Sequence, residues 1–464
     1  MTPRYIAVID IGKTNAKLVL VDATDLSELE VLTRPNTVLA APPYPHFDVD
    51  TIWRFILDGL ERFQKAHGVD AISIATHGAA CALIAPDGTL AAPILDYEHA
   101  GPDDMAEAYD AIRPKFSETG SPKLSLGLNL GAQLHWQFAR EPGLRERTAA
   151  IVTYPQYWGH RLTGVLACDP SSLGAHTDLW NPYEGRFSSL VDVLGLADKM
   201  APARRSAEVL GPVLPWIAVQ TGLSPGTRVH CGIHDSNASL LPHVLTRSAP
   251  YSVVSTGTWV IAMTIGGKEV ALEPSRDTLL NVNAFGAPVP SARFMGGREF
   301  ELAMSSQTIE CAEQSLDVVA NGGPMLLPAM VPESGPFQGQ QHSWIGTEPL
   351  PGTQERAAAV GFYLGLMTAE CLTLTGHEGS VFVEGPFSRN QAFCRMLAAA
   401  TNCSVSAIDD ATGTGQGAAL LALDGRALPQ AEQGTTYHAK EHSMYEQYAS
   451  HWRKAAAARL DLRK

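Results

Sequence analysis

The segment Ile6-Ala-Val-Ile-Asp-Ile-Gly-Lys-Thr-Asn-Ala-Lys-Leu-Val-Leu-Val-Asp22 sets a carboxylate, a glycine, a lysine and small polar residues between two short apolar runs. The pattern predicts a strand, a tight turn and a second strand, because a sharp reversal needs the backbone freedom of Gly12. Backbone amides from Gly12 to Asn15 would then point at an anion. The segment favours a phosphate-binding hairpin with Asp10 at its mouth. The alternative is an ordinary hairpin whose Asp and Asn serve only the turn.

The tripeptide Gly12-Lys13-Thr14 is similar to the end of a P-loop, the phosphate-binding turn of many nucleotide-hydrolysing enzymes. A P-loop also needs a glycine five residues before its Gly-Lys pair, and a helix after it. Here the earlier position is Ala7, and a β-branched run follows the turn. The hairpin is therefore not a P-loop.

Length and charge limit the class of protein. A chain of 464 residues is too long for one ordinary core, so two or more domains are expected. A hydrophobic fraction of 45% with 18% charged residues predicts a globular, soluble protein. The formal net charge of −14 argues against electrostatic binding to nucleic acid or to an anionic membrane.

The sequence also predicts a cytoplasmic location. The apolar run after Arg4 is broken by Asp10, so no signal peptide is expected, and no stretch approaches the roughly 20 apolar residues of a membrane span. The 7 cysteines contain no Cys-x-x-Cys pair, and reduced thiols explain them better than a disulfide framework or a zinc site.

Polar groups follow two predicted strands in the first quarter of the chain. Residues 71–75 form a short apolar run that ends in Thr76-His77-Gly78, and another apolar run ends in Asp96-Tyr-Glu-His99. Open α/β sheets bind their ligands at the carboxyl ends of strands. We expect these groups to hold a polyhydroxylated ligand. The alternative is a solvated loop after each strand.

Residues 222–226, Gly-Leu-Ser-Pro-Gly, match the spacing of a serine hydrolase elbow. In such an elbow the residue after the serine donates its backbone N–H to the oxyanion. That residue is Pro225, which has no N–H, so a serine hydrolase is excluded and only a turn is predicted.

Asp235 lies between a predicted strand, residues 228–233, and a predicted helix that begins near residue 238. An aspartate in this position often serves only as a helix cap; the other interpretation is a catalytic carboxylate. Residues 251–263 repeat the design of the first motif, with a strand, a glycine turn bearing hydroxyls, and a strand. Two phosphate-type hairpins, one in each half, predict a duplicated fold.

Taken together, these motifs resemble those of the FGGY family of carbohydrate kinases, over nearly the whole chain. The motifs that carry the resemblance are Asp10-Ile-Gly-Lys-Thr-Asn-Ala-Lys17, Thr76-His77-Gly78, residues 95–98, residues 157–164, residues 222–226, Gly232-Ile-His-Asp235, Ser255-Thr-Gly-Thr258, Gly296-Gly-Arg298, Val383-Glu-Gly-Pro-Phe-Ser388 and residues 413–419. Residues 174–180 and 294–299 are most similar to rhamnulokinases and fuculokinases.

The resemblance implies an α/β fold of two actin-like (ribonuclease H-like) domains, with the active site in the cleft between them. The first domain, residues 1–245, would hold the sugar, and the second, residues 246–464, the nucleotide. ATP and Mg²⁺ are implied, with Asp235 as the catalytic base and Asp10 helping to place the magnesium ion. The implied sugar-binding residues are Thr76, His77, Gly78, Glu98, His176 and Asp235. The implied phosphate- and nucleotide-binding residues are Gly12, Lys13, Thr14, Asn15, Lys17, Thr256, Gly257, Thr258, Gly385, Pro386 and Asn390.

The chain departs from the family pattern at three places. Asp96-Tyr97-Glu98 stands where many members have Trp-x-Asp, which leaves the sugar open. Pro386 follows Gly385 where paired glycines are usual, which reduces or rigidifies the backbone approach to adenosine. Lys13 replaces a small hydroxyl residue; it favours a cationic contact with the transferring phosphoryl group, the alternative being a solvated charge.

The leading hypothesis is an ATP-dependent kinase of a small ketose or deoxyketose such as rhamnulose, fuculose, ribulose or xylulose. Phosphoryl transfer needs positioning, charge neutralisation and a group that takes the acceptor proton, and this chain offers each. One rival is an actin-like ATPase or regulator that binds sugar or nucleotide without phosphorylating sugar. Another is a phosphatase or polyphosphate hydrolase. A homodimer is a possible assembly.

The end of the chain predicts a packed helix. Tyr445, Tyr448 and Trp452 precede the alanine run at residues 455–458 with helical spacing. We expect this helix to lie outside the active site.

Overall fold

The computed structural model describes residues 3–305, 309, 311–408, 413–423, 434–438 and 443–461, with side chains described as far as residue 459. The strands are β1 (Tyr5–Ile11), β2 (Asn15–Asp22), β3 (Glu28–Pro35), β4 (Val38–Leu39), β5 (His46–Phe47), β6 (Ala71–Thr76), β7 (Cys81–Ile84), β8 (Ala150–Thr153), β9 (Trp180–Asn181), β10 (Arg186–Phe187), β11 (Val209–Pro212), β12 (Arg228–His230), β13 (Ile233–His234), β14 (Tyr251–Thr256), β15 (Val260–Ile265), β16 (Thr278–Val282), β17 (Pro288–Phe294), β18 (Met325–Leu327), β19 (Ser343–Ile345), β20 (Ser380–Glu384), β21 (Val405–Ala407) and β22 (Thr436–Tyr437).

The helices are α1 (Val49–Ala66), α2 (Ala106–Asp110), α3 (Phe116–Thr119), α4 (Leu130–Arg140), α5 (Leu144–Arg147), α6 (Tyr154–Thr163), α7 (Pro170–Leu173), α8 (Ser189–Val193), α9 (Pro215–Thr221), α10 (Asp235–Thr246), α11 (Gly296–Met304), α12 (Glu313–Ala320), α13 (Gln354–Leu374), α14 (Gln391–Thr401), α15 (Thr414–Ala419) and α16 (Ser443–Asp461). Short 3₁₀ turns occupy Gly101–Met105, Pro274–Arg276, Pro386–Arg389 and Leu420–Ala422.

Contacts divide the described chain into two compact units. Residues 3–246, 280–288 and 413–423 belong to the first unit, and the other described residues belong to the second. Each unit contains a mixed sheet with helices, so the predicted α/β fold with two domains is confirmed. The boundary between residues 245 and 246 remains a prediction.

The two main sheets share one topology. The first runs β11-β12-β6-β1-β2-β3, with β13 also paired to β6. The second runs β16-β17-β15-β14-β20-β21-β22. In each, an antiparallel hairpin (β1–β2 or β14–β15) is extended by a third antiparallel strand (β3 or β17) and its first strand pairs in parallel with a later one (β6 or β20). The duplication inferred from the two hairpin motifs is therefore present in the fold.

Parallel pairing brings the ends of three strands to one edge of the first sheet. Ile11 of β1 pairs with Thr76 of β6, and Thr76 pairs with His234 of β13. The amide of His77 donates to the carbonyl of Ile11 at 2.8 Å. The polar residues that follow these strands are consequently neighbours, although they are far apart in the sequence.

A late segment of the chain completes the first unit. Residues 413–423, which include α15, pack their apolar side chains on the first sheet, against a cluster that includes Ile6, Val8, Val19, Val21, Ala71 and Ala75. The hydroxyl of Ser73 donates to the carbonyl of Ala418 at 2.7 Å. Gly417 is required by close approach, because a Cβ there would lie 2.0 Å from the carbonyl oxygen of Ala238.

One expectation about apolar stretches is wrong. Among the described helices, Gln354–Leu374 is long and apolar enough to cross a membrane by length and composition, whereas none was expected. Within the most apolar stretch of this helix, α13, 89% is buried inside the protein. It is apolar on every side because other elements of its unit surround it, among them α11, α12 and α14.

The cysteines agree with the prediction of reduced thiols. All 7 are free, and Cys81, Cys168, Cys231, Cys371 and Cys394 are buried.

The predicted C-terminal helix is α16. Its three aromatic side chains are at most 2% exposed, and they pack in the core of the second unit. The indole N–H of Trp452 donates to the carbonyl of Leu326 at 2.7 Å, and the hydroxyl of Tyr448 donates to the carbonyl of Pro324 at 2.8 Å. The helix therefore anchors β18 to the core.

Deleting residues 451–464 should lower the unfolding temperature and the soluble yield. Loss of a buried tryptophan costs about 3–5 kcal/mol in other proteins. We expect the folded fraction of the deletion variant to keep the native KM values for sugar and ATP. Trp452→Phe, which retains a buried ring but loses the hydrogen bond, should show a smaller drop. An unchanged unfolding temperature in the deletion variant would contradict the anchoring role.

Candidate functional site

The predicted phosphate hairpin is formed by β1 and β2, with Gly12, Lys13 and Thr14 in its turn. The amide of Gly12 donates to the carbonyl of Asn15 at 2.9 Å. Gly12 is not among the described residues with positive φ, so the expected need for unusual backbone freedom is wrong. A small residue is favoured because a Cβ would lie 3.2 Å from the Asn15 carbonyl oxygen. Thr14 and Asn15 are exposed at the tip.

Asp10 lies near the end of β1, directly opposite the exposed Lys17 of β2. The pKa of Asp10 is raised to about 6, chiefly by burial and also by the negative charges of Asp235 and Glu28, while Lys17 opposes the shift. The carboxylates of Asp10 and Asp235 are therefore close enough to repel each other when both are ionised. Their repulsion would be relieved by a cation bound between or beside them.

Asp235 is the first residue of α10, which begins three residues earlier than the sequence predicted. Its Oδ1 accepts the Ser236 amide at 2.6 Å and lies 3.2 Å from Nε2 of His234. One carboxylate oxygen is thus held at the helix start.

A buried network fixes the strand that precedes Asp235. The His234 amide donates to the Ser171 hydroxyl at 3.0 Å, and Ser171 in turn donates to Asp169. Asp169 is fully buried and also accepts the amide of Ser172 at 2.9 Å and the hydroxyl of Ser206 at 2.7 Å. Sequence analysis missed Asp169, because an Asp-Pro-Ser string reads only as a helix start.

His77 combines burial with an unsatisfied acceptor. Its Nδ1–H donates to the Gly78 carbonyl at 2.7 Å, while its buried Nε2 has no hydrogen-bond partner among the described residues. Burial lowers the pKa of His77 to about 4. The ring is therefore neutral near pH 7 and presents Nε2 as an acceptor for a hydroxyl group.

Thr76 and Gly78 position this histidine. The buried Thr76 hydroxyl donates to the His77 carbonyl at 3.0 Å. A Cβ at Gly78 would lie 3.0 Å from Nε2 of His234, so glycine lets the two histidine-bearing segments approach each other. Thr76 and Gly78 therefore fix the backbone on either side of His77. Gly78 has no side chain that could contact the sugar.

Lys13 is directed to the polar segment after Pro93. Its ammonium forms ion pairs with Asp96 and, at 3.2 Å, with Oε2 of Glu98. It also lies 4.7 Å from the ring centroid of Tyr97. The structure thus places Lys13 beside predicted sugar residues, whereas the sequence favoured a phosphate contact.

His176 has a left-handed backbone with φ of 49°, and its Nδ1 lies 2.8 Å from the Leu128 carbonyl oxygen. The loop around it is fixed by Asp178, which pairs with the guanidinium of Arg113 at 2.9 Å and accepts the Tyr109 hydroxyl at 2.7 Å. The role of His176 in sugar binding stays a prediction.

A cavity of about 760 Å³ lies within the second unit. Four predicted nucleotide residues line it, namely Gly257, Thr258, Pro386 and Asn390. The other lining residues are Gly297, Phe300, Glu301, Ile309, Cys311, Ala357, Phe387, Arg389, Gln391 and Ala392. Apolar and aromatic walls with a few polar groups are typical of pockets for small molecules and cofactors.

Thr256 and Gly385 hold the two sides of this cavity together. The Thr256 hydroxyl donates to the Glu384 carbonyl and accepts the Phe387 amide at 3.1 Å. Gly385 has φ of 82°, and a Cβ there would lie 2.1 Å from the Thr256 carbonyl oxygen. Pro386 starts the 3₁₀ turn, where its fixed φ is tolerated. The backbones of Gly385 and Thr256 therefore approach each other closely.

Sequence analysis missed the apolar walls of the cavity. Phe300 and Ala357 lie on α11 and α13, where each follows only ordinary helical periodicity. Phe387 could have been predicted as a lining residue, because it directly follows Gly385 and Pro386, which were identified as nucleotide-binding residues.

The residues present fit a magnesium ion supplied with ATP. Among the described residues no group of three or more His, Cys, Asp and Glu could hold a metal by itself. Mg²⁺ commonly keeps several waters and binds through one or two carboxylates plus substrate phosphates. Asp10, a carboxylate with a raised pKa at the mouth of the hairpin, suits such a site.

Comparison with family models gives two matches. The model for the N-terminal domain of the FGGY family of carbohydrate kinases matches residues 5–242. The model described as carbohydrate kinase FGGY, C-terminal domain, matches residues 248–458.

Solved structures and curated proteins give further similarities. A carbohydrate kinase from Novosphingobium aromaticivorans is 36% identical, with a TM-score of 0.89 over 97% of this chain and 100% of that chain. A xylulose kinase from Lactobacillus acidophilus, 16% identical with a TM-score of 0.77 over 99% of this chain and 97% of that chain, shows similarity of fold. An autoinducer-2 kinase from Enterobacter sp. (strain 638) is 25% identical over 55% of this chain and 50% of the relative, and L-fuculokinase from Escherichia coli (strain K12) is 24% identical over 57% of each. The chain spans about half the length of these curated relatives.

Proposed function

Because the chain belongs to the FGGY family of carbohydrate kinases, we propose that it transfers the γ-phosphoryl group of ATP to a hydroxyl group of a small ketose or deoxyketose. Rhamnulose-, fuculose-, ribulose- and xylulose-like sugars are the proposed class. Relatives named as kinases of L-xylulose and L-fuculose support this class.

The observation that carries the proposal is that three candidate site residues lie together at one edge of the first sheet. Asp10 is the second-last residue of β1, and His77 and Asp235 directly follow β6 and β13, the strands that join β1 in parallel register. A neutral acceptor at His77 suits a sugar hydroxyl, and two carboxylates suit a base and a metal ligand. A protein that only bound nucleotide would have no use for this combination.

In the proposed mechanism Asp235 accepts the proton of the attacking hydroxyl. Its Oδ1 is held by Ser236 and His234, so Oδ2 is the oxygen we expect to take the proton. The sugar oxygen forms a bond to the γ-phosphorus as the bond from that phosphorus to the β,γ-bridging oxygen breaks, and ADP leaves. A carboxylate suffices as base because the proton leaves late in a loose transition state.

Asp10 would hold the magnesium ion of the ATP complex. When bound, the ion neutralises charge on the phosphate oxygens. Gly257, Thr258, Pro386 and Asn390 would hold the nucleotide in the cavity of the second unit.

A coupled assay of ADP release tests the proposal. The purified protein is given MgATP with individual ketoses, deoxyketoses, polyols and aldonates, and the phosphorylated product is identified by mass spectrometry. We expect release of ADP that depends on one or a few ketoses. ADP and phosphate formation that is independent of every sugar would instead indicate an ATPase or a phosphohydrolase.

His77→Phe should raise KM for the sugar about tenfold, the value of one hydrogen bond of ordinary strength. Phenylalanine retains ring packing against Phe47, Tyr97 and Tyr154, which lie within 5.3 Å of the histidine ring. KM for MgATP and the unfolding temperature should change little. An unchanged sugar KM would show that Nε2 does not contact substrate.

A further inference from the structure

Two departures from the family pattern meet in the structure. Lys13 and the Asp96-Tyr97-Glu98 segment are more than eighty residues apart in sequence, yet the lysine forms ion pairs with both carboxylates. The side chains of Lys13 and Asp96 are 19% and 9% exposed, whereas that of Glu98 is 59% exposed. Lys13 is thus a partly buried charge with defined ion-pair partners.

The surroundings of the ammonium argue against a phosphate contact. One cation shared by two carboxylates leaves a local charge of −1 when all three groups are ionised. A phosphoryl group would have to approach Asp96 and Glu98 as well as Lys13, and like charges repel. The aromatic faces of Tyr97 and Phe47, at 4.7 and 5.2 Å from Nζ, further favour keeping the cation where it lies.

The same group faces the candidate sugar site. Tyr97 lies 5.3 Å from the His77 ring, and the charge of Lys13 contributes to the lowered pKa of that histidine. An ammonium has three donors; Asp96 accepts one of them, and Glu98 lies 3.2 Å away as an ion-pair partner. A remaining donor, together with the acceptor Nε2 of His77, matches a hydroxyketone, which offers both an oxygen acceptor and a hydroxyl donor.

We propose that Lys13, held by Asp96 and Glu98, is a selectivity residue of the sugar site that donates to an oxygen of a neutral sugar. The net negative charge of the three groups disfavours sugar acids. The inference rests on the proposed kinase function and adds the class of substrate, which is neutral polyhydroxy ketones and not aldonates.

The test compares Lys13→Met with Lys65→Met. Methionine retains an apolar stem against the two rings, and Lys65 is an exposed lysine of α1 that pairs with Glu61. Binding of the best ketose, of an aldonate of the same carbon number, and of MgATP is measured separately by calorimetry. We expect Lys13→Met to weaken ketose binding about tenfold or more and to leave the Kd for MgATP within about twofold. Lys65→Met should match the native protein.

A weakening of MgATP binding by Lys13→Met with native ketose affinity would overturn the proposal in favour of the phosphate contact. Unchanged affinity for both ligands would also overturn it. Because the Met variant leaves Asp96 without its cation, Glu98→Gln provides a second measurement at a more exposed position. It should strengthen aldonate binding relative to ketose binding by about threefold or more. No change in that ratio would contradict the charge argument.

Failure of the underlying function gives a different result. If the native protein binds a ketose but transfers no phosphoryl group to it, the proposed kinase activity fails while the binding measurements still decide the role of Lys13. If the native protein binds aldonates more tightly than every ketose, the neutral-substrate inference fails even where kinase activity is present.

Discussion

Asp235→Asn is expected to lower kcat by at least about 100-fold, with little change in the KM for sugar or ATP. An amide is nearly the same size as a carboxylate but cannot take the hydroxyl proton. The unfolding temperature should stay close to native, because asparagine serves at a helix start about as well as aspartate. Its side-chain oxygen can still accept the Ser236 amide, which Asp235 accepts at 2.6 Å.

Asp48→Asn is the matched control for this variant. Asp48 caps α1 in the same unit, and its side chain accepts the Thr51 amide at 3.1 Å. We expect native kcat and a similar unfolding temperature. If Asp235→Asn instead retained most of its sugar-dependent ADP production, Asp235 would be only a cap. The base would then be another carboxylate, with Glu98 as the next candidate.

Asp10→Asn is expected to reduce Mg²⁺-dependent turnover by a factor on the order of 100, while sugar binding stays near native. Asparagine fills the same space but lacks the charge that attracts the cation. Titration of activity with Mg²⁺ should show a higher requirement in the variant. Native turnover and a native Mg²⁺ requirement would exclude Asp10 from the metal site.

The unfolding temperature of Asp10→Asn, measured without ligand at several pH values, gives a second test. The pKa of Asp10 is raised to about 6 in the folded protein, so between about pH 4 and pH 6 the folded state holds a proton that the unfolded chain has released. The free energy of unfolding therefore falls as the pH rises towards 6. Above pH 6 the buried, ionised carboxylate destabilises the folded state. Asp10→Asn should therefore unfold at a higher temperature than the native protein at pH 8, with the difference shrinking towards pH 4. A lower unfolding temperature at pH 8 would contradict the burial argument.

Local pattern was enough to locate the strand ends at the candidate site. Apolar runs followed by polar residues predicted the positions of Thr76 and His77, and the glycine turn predicted the β1–β2 hairpin. The repeat of that turn predicted the second sheet. These features depend on residues within one strand or turn, where alternation of burial and turn chemistry act directly.

Contacts over long sequence distances were not predictable in the same way. Lys13 has no local feature that selects Asp96, because the pair forms only after β1 and the segment beyond Pro93 are brought together by the fold. The orphaned Nε2 of His77 depends on the packing of three rings around it. The apolar residues of α13 lie on every side of the helix, and length and composition alone do not distinguish such a core helix from a membrane span.

The late segment that completes the first unit bears on how the protein is made. During translation, β1, β2 and β6 emerge long before residues 413–423, which cover one face of their sheet. Domains commonly fold as the ribosome releases them, but the cluster that contains Ile6 and Val21 is incomplete until residues 413–423 have been synthesised. Residues 1–246 expressed alone should therefore expose more of that apolar face and aggregate more readily than the longer chain.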